Sequence, residues 1–384
     1  MDFDLNDEQS LLKDTVERWA RTTYPGLDAL NAARAEPLGF ARKTWTELAQ
    51  LGLLALPFST EDGGFGGGPV ETLVVMEAFG RALAPEPYLA SVVLGGSALR
   101  LAGTSAQRTA LLPGLMEGTT RLAFAHAETQ ARYDLQDVAT TAVRTPGGFR
   151  LDGRKSVVLN ADAAHTLVVS ARTRGARRDE EGITLFLVPV DAPGVALHAY
   201  ATQDGGRAAD ITLSDVAVRD DQVLGPLDAG LPIVEQVVDI AIAALCAEAV
   251  GLMEALHGLT LDYLRTRKQF GVPIGSFQVL QHKAVDMLVA LEQARSMALY
   301  AAMMAQADDR RDRRAALSAA KVQINRSARF VGQTAVQLHG GIGITLEYIG
   351  AHHFRRLTMI ELMLGDTAHH VRQVTALGGL VDAA

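Results

Sequence analysis

Residues 263–278 read YLRTRKQFGVPIGSFQ. Arg265, Arg267 and Lys268 crowd the last turn of an apolar helical pattern that starts near Pro232. Positive charge there suits the negative end of a helix dipole. Gly271 and Pro273 then stop the helix, and Ser276 can cap a second one over 277–306. By composition the segment is a helix stop with solvated charges. It is also a candidate anion grip, because a guanidinium forks onto phosphate oxygens and a helix start adds backbone donors.

Downstream, the helical period predicts a third helix from about Asp312 to Leu338, stopped by Gly340-Gly341. A fourth begins near Thr345, and a fifth opens at Asp366 and stops at Gly378-Gly379. Upstream, residues 121–224 change texture. Short apolar runs at 167–170, 183–190 and 211–213 are bounded by Gly, Pro, Asp and Asn, and Asp152-Gly153 predicts a hairpin turn between 149–151 and 155–159. Strands and helices do not alternate, which favours an antiparallel barrel or sandwich over a doubly wound sheet. The first 118 residues are helical again. Leu11, Leu12, Val16 and Trp19 fall at helical spacing behind an N-cap at Asn6 or Asp7, and 44–54, 70–83 and 105–116 read alike. The expected class is α+β: a helical domain over 1–120, a β domain over 121–225, and a four-helix-bundle-like domain over 226–384.

The chain has 384 residues and a net charge of −8, which argues against a nucleic-acid partner, since that would need a basic face. The single Cys246 permits no internal disulfide and lies in an apolar run, where a core side chain is the better reading. Residues 1–7 are acidic rather than basic then apolar, so no secretory leader is expected. The longest apolar stretches are broken by Asp239 and Glu248 and fall short of the ~20 residues of a membrane span. The expected location is the cytoplasm, away from membranes. Gly63, Gly64, Gly66, Gly67 and Gly68 lack the strand and lysine of a phosphate loop and read as a surface turn. The pairs His352-His353 and His369-His370 point about 100° apart on a helix, a poor grip for one metal ion.

Residues 337–343 read QLHGGIG, alone another helix stop. Together with 263–278 and the α–β–α order, this segment resembles the acyl-CoA dehydrogenase superfamily over essentially the whole chain. Residues 263–278 look like its R-x-x-F-G…F-Q segment, and 337–343 like its Q-x-x-G-G-x-G segment, followed by Glu347 and Arg355-Arg356. The phrasing at 61–83 and 267–287 is similar to the small subunits of two-subunit enzymes of the pimeloyl-CoA dehydrogenase kind; related two-subunit enzymes degrade steroid side chains. The resemblance implies FAD as cofactor, an acyl-CoA substrate and electron-transfer flavoprotein as acceptor. It implies contacts from Arg267, Phe270 and Gln278 to the FAD diphosphate and adenosine, with Gln337, Gly340 and Gly341 where the cofactor approaches the backbone.

The family needs a carboxylate base, and here the resemblance breaks. Gly365 stands where the glutamate of one family variant would be, and Ala241, beside Ile242, where that of the other would be. The family's T-E-P-x-A-G-S-D loop aligns with 127–134, AETQARYD. Its Trp-Ile-Thr along the flavin ring aligns with Val157, Val158 and Leu159. These departures imply a heteromer in which a homologous large subunit supplies the base and the ring pocket. Substitute bases are Asp366, a natural N-cap, Asp239, about 200° from Ala241 around a helix, and Glu361, a plausible partner of Arg355 and Arg356. The alternatives are a homo-oligomer using Asp366 or Asp239, a non-catalytic scaffold, or an acyl-CoA or nitroalkane oxidase on the same fold.

Overall fold

The computed structural model describes residues 5–379. The elements run α1 (Asp7–Thr23), α2 (Leu27–Arg34), α3 (Arg42–Gln50), α4 (Pro69–Ala82), a π-helical run (Leu89–Gly96), α5 (Ser97–Ala102) and α6 (Ser105–Met116). Eight strands follow: β1 (Leu122–Ala125), β2 (Thr141–Thr145), β3 (Gly148–Leu159), β4 (Thr166–Arg172), β5 (Ile183–Pro189), β6 (Val195–Ala201), β7 (Arg207–Arg219) and β8 (Val223–Leu224). The rest is α7 (Leu231–Thr266), β9 (Lys268–Gln269), β10 (Val272–Pro273), α8 (Gln278–Met304), α9 (Arg310–His339), α10 (Ile349–Leu362) and α11 (Thr367–Ala376). Two compact units form. One comprises Met1–Ala33, Pro69–Ala84 and Ile242–Ala384, the other Arg34–Gly68 and Pro85–Ala241.

The β-containing unit is built on one sheet, ordered β6-β7-β3-β2-β4-β5-β8, with β1 attached to β4. It is not wholly antiparallel as expected, because β1 and β2 both pair parallel to β4. β1 enters from the helices rather than from a hairpin, so no tight turn forces it antiparallel; its first amide donates to Ser91 Oγ at 2.9 Å. Asp152-Gly153 is not a turn. β3 runs through it, and the hairpin closes at Pro146-Gly147, where Gly147 has φ +81°. Gly153 marks a bulge against β7, and a Cβ there would lie 2.5 Å from Thr140 Oγ1. Close approach, not chain reversal, requires that glycine. Phe149, Leu151, Leu167, Val169, Phe186, Ile211 and Leu213 fill the core.

In the helical unit, α8 buries Ala284, Met287, Leu291, Ala294, Ala298 and Ala301, alternate three- and four-residue steps that keep one stripe inward. α9 answers with Ala316, Ala320, Ile324, Ala328, Val331 and Ala335. Small side chains on both stripes allow close packing. α4 and α7 meet backbone to backbone: a Cβ on Gly251 would lie 1.9 Å from Glu77 O, and one on Gly80 2.1 Å from Glu248 O. Around this crossing Arg81 and Arg295 share Glu77 and Glu254. Asn6 caps α1 in a capping box with Gln9, Asp309 caps α9 and Asp366 caps α11. Ser276 does not cap α8: its hydroxyl donates to Pro273 O, and Phe277 takes the cap position without a side-chain bond. Contrary to expectation, α7 is long and apolar enough to cross a membrane, and 89% of its most apolar window is buried in protein.

Candidate cofactor site

Within residues 263–278 the chain folds into a small hairpin after α7. The Arg267 amide closes the last turn of α7 on Tyr263 O at 2.8 Å. β9 and β10 then pair across Phe270-Gly271, with φ +54° and +83°. Two successive positive φ values mark the tight hairpin geometry that usually demands Asn-Gly or Gly-Gly. An aromatic there holds strain of order 1–3 kcal/mol, and Phe270 is nonetheless 93% exposed. Its ring meets Phe277 edge-on at 6.1 Å, just before Gln278 opens α8. Arg267 and Gln278 are exposed, and their side chains make no hydrogen bond or ion pair among the described residues.

The second segment ends α9. Gln337 is exposed with an equally unengaged side chain. Gly340 takes φ +66°, ψ −144°, a glycine conformation. Gly341 has no such backbone need, and a Cβ on either residue meets nothing within 4 Å. The chain's own packing therefore does not explain Gly341. Open backbone at these glycines, with the uncommitted guanidinium and amides of the two segments, is chemistry that could hold a dinucleotide's phosphate end. The structure brings the two segments together through Tyr263, whose ring lies 4.7 Å from that of His339, the residue before Gly340.

Neither position at which the resemblance leads one to expect a base carries an acid. Ala241 is fully buried. Gly365 has φ +125°, and a Cβ there would lie 2.3 Å from His370 Nε2. His370 is itself buried and anchored to Ser318 Oγ and Leu364 O, both at 3.2 Å. Burial, helped by the Lys321 ammonium, pushes its pKa down to about 3. Lys321 is fully buried and reaches Asn325 Oδ1 at 2.8 Å, Ile360 O at 2.6 Å and Gly365 O at 3.5 Å. Burial lowers its pKa to about 8. Asp366 accepts the His369 amide at 2.7 Å, as an N-cap should. Asp239 is buried on α7. Glu361, expected beside Arg355 and Arg356, binds Arg329, while Arg356 forks onto Glu248 at 2.6 and 2.8 Å. The paired histidines bind carbonyls, His352 to Leu346 O and His353 to Ile349 O and Arg81 O.

In the β-containing unit, Glu128 of the 127–134 loop forms a buried ion pair with Lys155 at 2.6 Å. Burial alone would raise the Glu128 pKa, but the Lys155 charge and hydrogen bonds hold it at about 2, while burial takes Lys155 down to about 8. Beside it, Val157 has φ +52° and is 53% exposed, its amide donating to Asp210 Oδ1 at 3.0 Å. A β-branched residue in the left-handed region is a true outlier. No sequence pattern signals this strain, nor the Tyr263 ring against His339, although that histidine lies within residues 337–343.

Fold and site define a flavin-dependent acyl-CoA oxidoreductase scaffold, and the chain belongs to the acyl-CoA dehydrogenase family. Residues 6–119, 123–216 and 228–377 match the N-terminal, middle and C-terminal domains of acyl-CoA dehydrogenases. The cofactor is FAD, and solved neighbours include an FAD complex. A curated relative, the probable acyl-CoA dehydrogenase YngJ of Bacillus subtilis, is 31% identical over 96% of this chain and 97% of its own. A variant of the Tcur3481-Tcur3483 steroid ACAD is similar at TM-score 0.86 and 30% identity, over 97% of each chain. The ChsE4-ChsE5 complex from Mycobacterium tuberculosis is similar at TM-score 0.86 and 25% identity, over 98% of each chain.

Proposed function

We propose that this chain is one subunit of a heteromeric acyl-CoA dehydrogenase, holding the ADP half of FAD while a homologous large subunit provides the catalytic glutamate and the flavin-ring pocket. The observation that carries this is the turn at Gly365, where a buried imidazole fills the space a base would leave from. Arg267 forks onto the diphosphate, Gln278 and Gln337 offer amide groups, and Gly340-Gly341 let the cofactor lie against the backbone. FAD, when bound, accepts the substrate's β-hydrogen as hydride. The helical unit leaves Phe270, Val279, Val285, Leu288, Val289 and Ile344 exposed, apolar side chains that a partner subunit would cover. The resemblance to small subunits of pimeloyl-CoA dehydrogenase favours a dicarboxylyl-CoA substrate. The similarity to a steroid acyl-CoA dehydrogenase favours a steroid-derived acyl-CoA. Electron-transfer flavoprotein is the proposed acceptor, and the cytoplasm the proposed location.

The test is expression of the chain alone and with a homologous subunit that carries the glutamate. Alone it should retain little FAD and desaturate no acyl-CoA; together, flavin absorbance and turnover should both appear. Desaturation by the pure chain with an electron acceptor would overturn the proposal.

A further inference from the structure

The residue that ties the two cofactor segments together is His339. It is buried, the last residue of α9, and three helix ends converge on its ring. Its Nδ1 lies 2.8 Å from Ala335 O. A carbonyl only accepts, so Nδ1 carries the proton and satisfies one of the last-turn carbonyls that a helix end leaves open. Its Nε2 lies 2.8 Å from the Tyr348 hydroxyl, and the Leu259 carbonyl also hydrogen-bonds the ring. Tyr348 is the N-cap residue of α10. The Tyr263 ring covers His339 at 4.7 Å and the Tyr348 ring lies at 4.9 Å. Glycines leave the room: a Cβ on Gly350 would sit 2.6 Å from the Tyr348 ring, and one on Gly343 3.0 Å from His339 Cβ. Burial holds the imidazole below its usual pKa, in keeping with the neutral tautomer.

From this geometry we infer that His339 is a positioning residue. It sets the spacing between the Arg267–Phe270 hairpin and the Gly340-Gly341 backbone, and so preorganises the site for the cofactor's diphosphate. This rests on the proposed reading of the two segments as the ADP holder. Preorganisation lowers the ordering cost of binding, so loss of the clasp should weaken FAD without touching chemistry at the flavin ring.

The experiment uses the full chain as it purifies with its partner, stripped of flavin and titrated with FAD by flavin fluorescence. Each hydrogen bond lost should raise the Kd for FAD roughly threefold to tenfold: once in Tyr348→Phe, which loses only the hydroxyl, and more in His339→Phe, which keeps a ring but none of its hydrogen bonds. Turnover per bound flavin and KM for acyl-CoA should stay unchanged, a split that general loss of structure would not give. If His339→Phe fails to fold, Tyr348→Phe decides. Arg267→Ala separates the two claims. If it weakens FAD while the His339 and Tyr348 variants stay within twofold of the parent, the positioning role is wrong and the segment reading stands. If Arg267→Ala leaves FAD binding unchanged, the reading and the inference built on it fall together.

Discussion

Restoring the family glutamate by Gly365→Glu should damage the fold rather than create an enzyme. At φ +125° any L residue is strained, of order 1–3 kcal/mol. Its Cβ would lie 2.3 Å from His370 Nε2 and 2.8 Å from His369 Cδ2. Real Cβ atoms do not come so close, so His370 must leave a buried place where it bonds Ser318 and Leu364. Forced repacking of that kind costs about 1–3 kcal/mol, and each displaced hydrogen bond about 0.5–1.5 kcal/mol more. The Cβ that Gly365→Ala adds is already the obstacle, so its loss, with both His370 hydrogen bonds displaced, is about 3–9 kcal/mol, and Gly365→Glu should lose at least as much. Urea denaturation of the purified protein measures it. A double-mutant cycle with His370→Ala locates it: if His370 is the obstacle, Gly365→Ala should cost at least about 1 kcal/mol less in that background. The reasoning fails if Gly365→Glu keeps its stability within about 0.5 kcal/mol and gains desaturation of an acyl-CoA without a partner.

The remaining expectations concern stability. His126 and His370 are held neutral, with pKa values pushed by burial to about 3. The unfolded chain takes up protons below about 6.5 that the folded chain refuses, so this contribution is complete above that pH and is lost as pH falls toward 3. Between pH 6.5 and 5, where Glu128 contributes little to the slope, urea midpoints should fall with pH, and less steeply in His370→Asn. Lys155→Met leaves the Glu128 carboxylate buried without its cation and should cost about 3–5 kcal/mol, whereas the double change with Glu128→Gln should recover most of that, read by thermal unfolding. Gly251→Ala puts a methyl 1.9 Å from Glu77 O and should destabilise by about 1–3 kcal/mol in the same assay, since backbone cannot yield as a flexible side chain can.

How much of this was legible in the sequence depends on how local the determining physics is. Several helix limits were readable because their signals are short-range. Asn6 and Asp366 bond amides three residues on, and α6 spans the predicted 105–116; α9 opens at Asp309 rather than Asp312, α10 starts at Ile349 rather than Thr345, and the 44–54 helix runs Arg42–Gln50. The strand domain was readable as strand, but its register was not. Asp152-Gly153 and Pro146-Gly147 are both plausible turns by composition, and the choice between them is made by Thr140 lying against Gly153, a contact no local window contains. The edge strand β6 escaped notice because its alternation of half-buried and exposed residues carries little apolar signal.

The candidate site divides in the same way. Arg267, Gln278, Gln337 and Gly341 stand out because they are free of the chain's own demands, and residues that packing does not use are those a motif can reveal. His339, His370 and Val157 act through neighbours distant in sequence: Tyr348 and Tyr263, Ser318, and Asp210. The absence of a glutamate at position 365 was plain in one letter of sequence. That its place is filled by an imidazole wedged 2.3 Å from where a side chain would begin was not. That difference matters for the proposed function. An empty position with open space around it could take an acid by one substitution, but a turn closed over a buried, hydrogen-bonded ring ties position 365 to the stability of the fold, so if the chain depends on a partner's glutamate as proposed, an acid here would need coordinated changes at Gly365, His370 and Ser318.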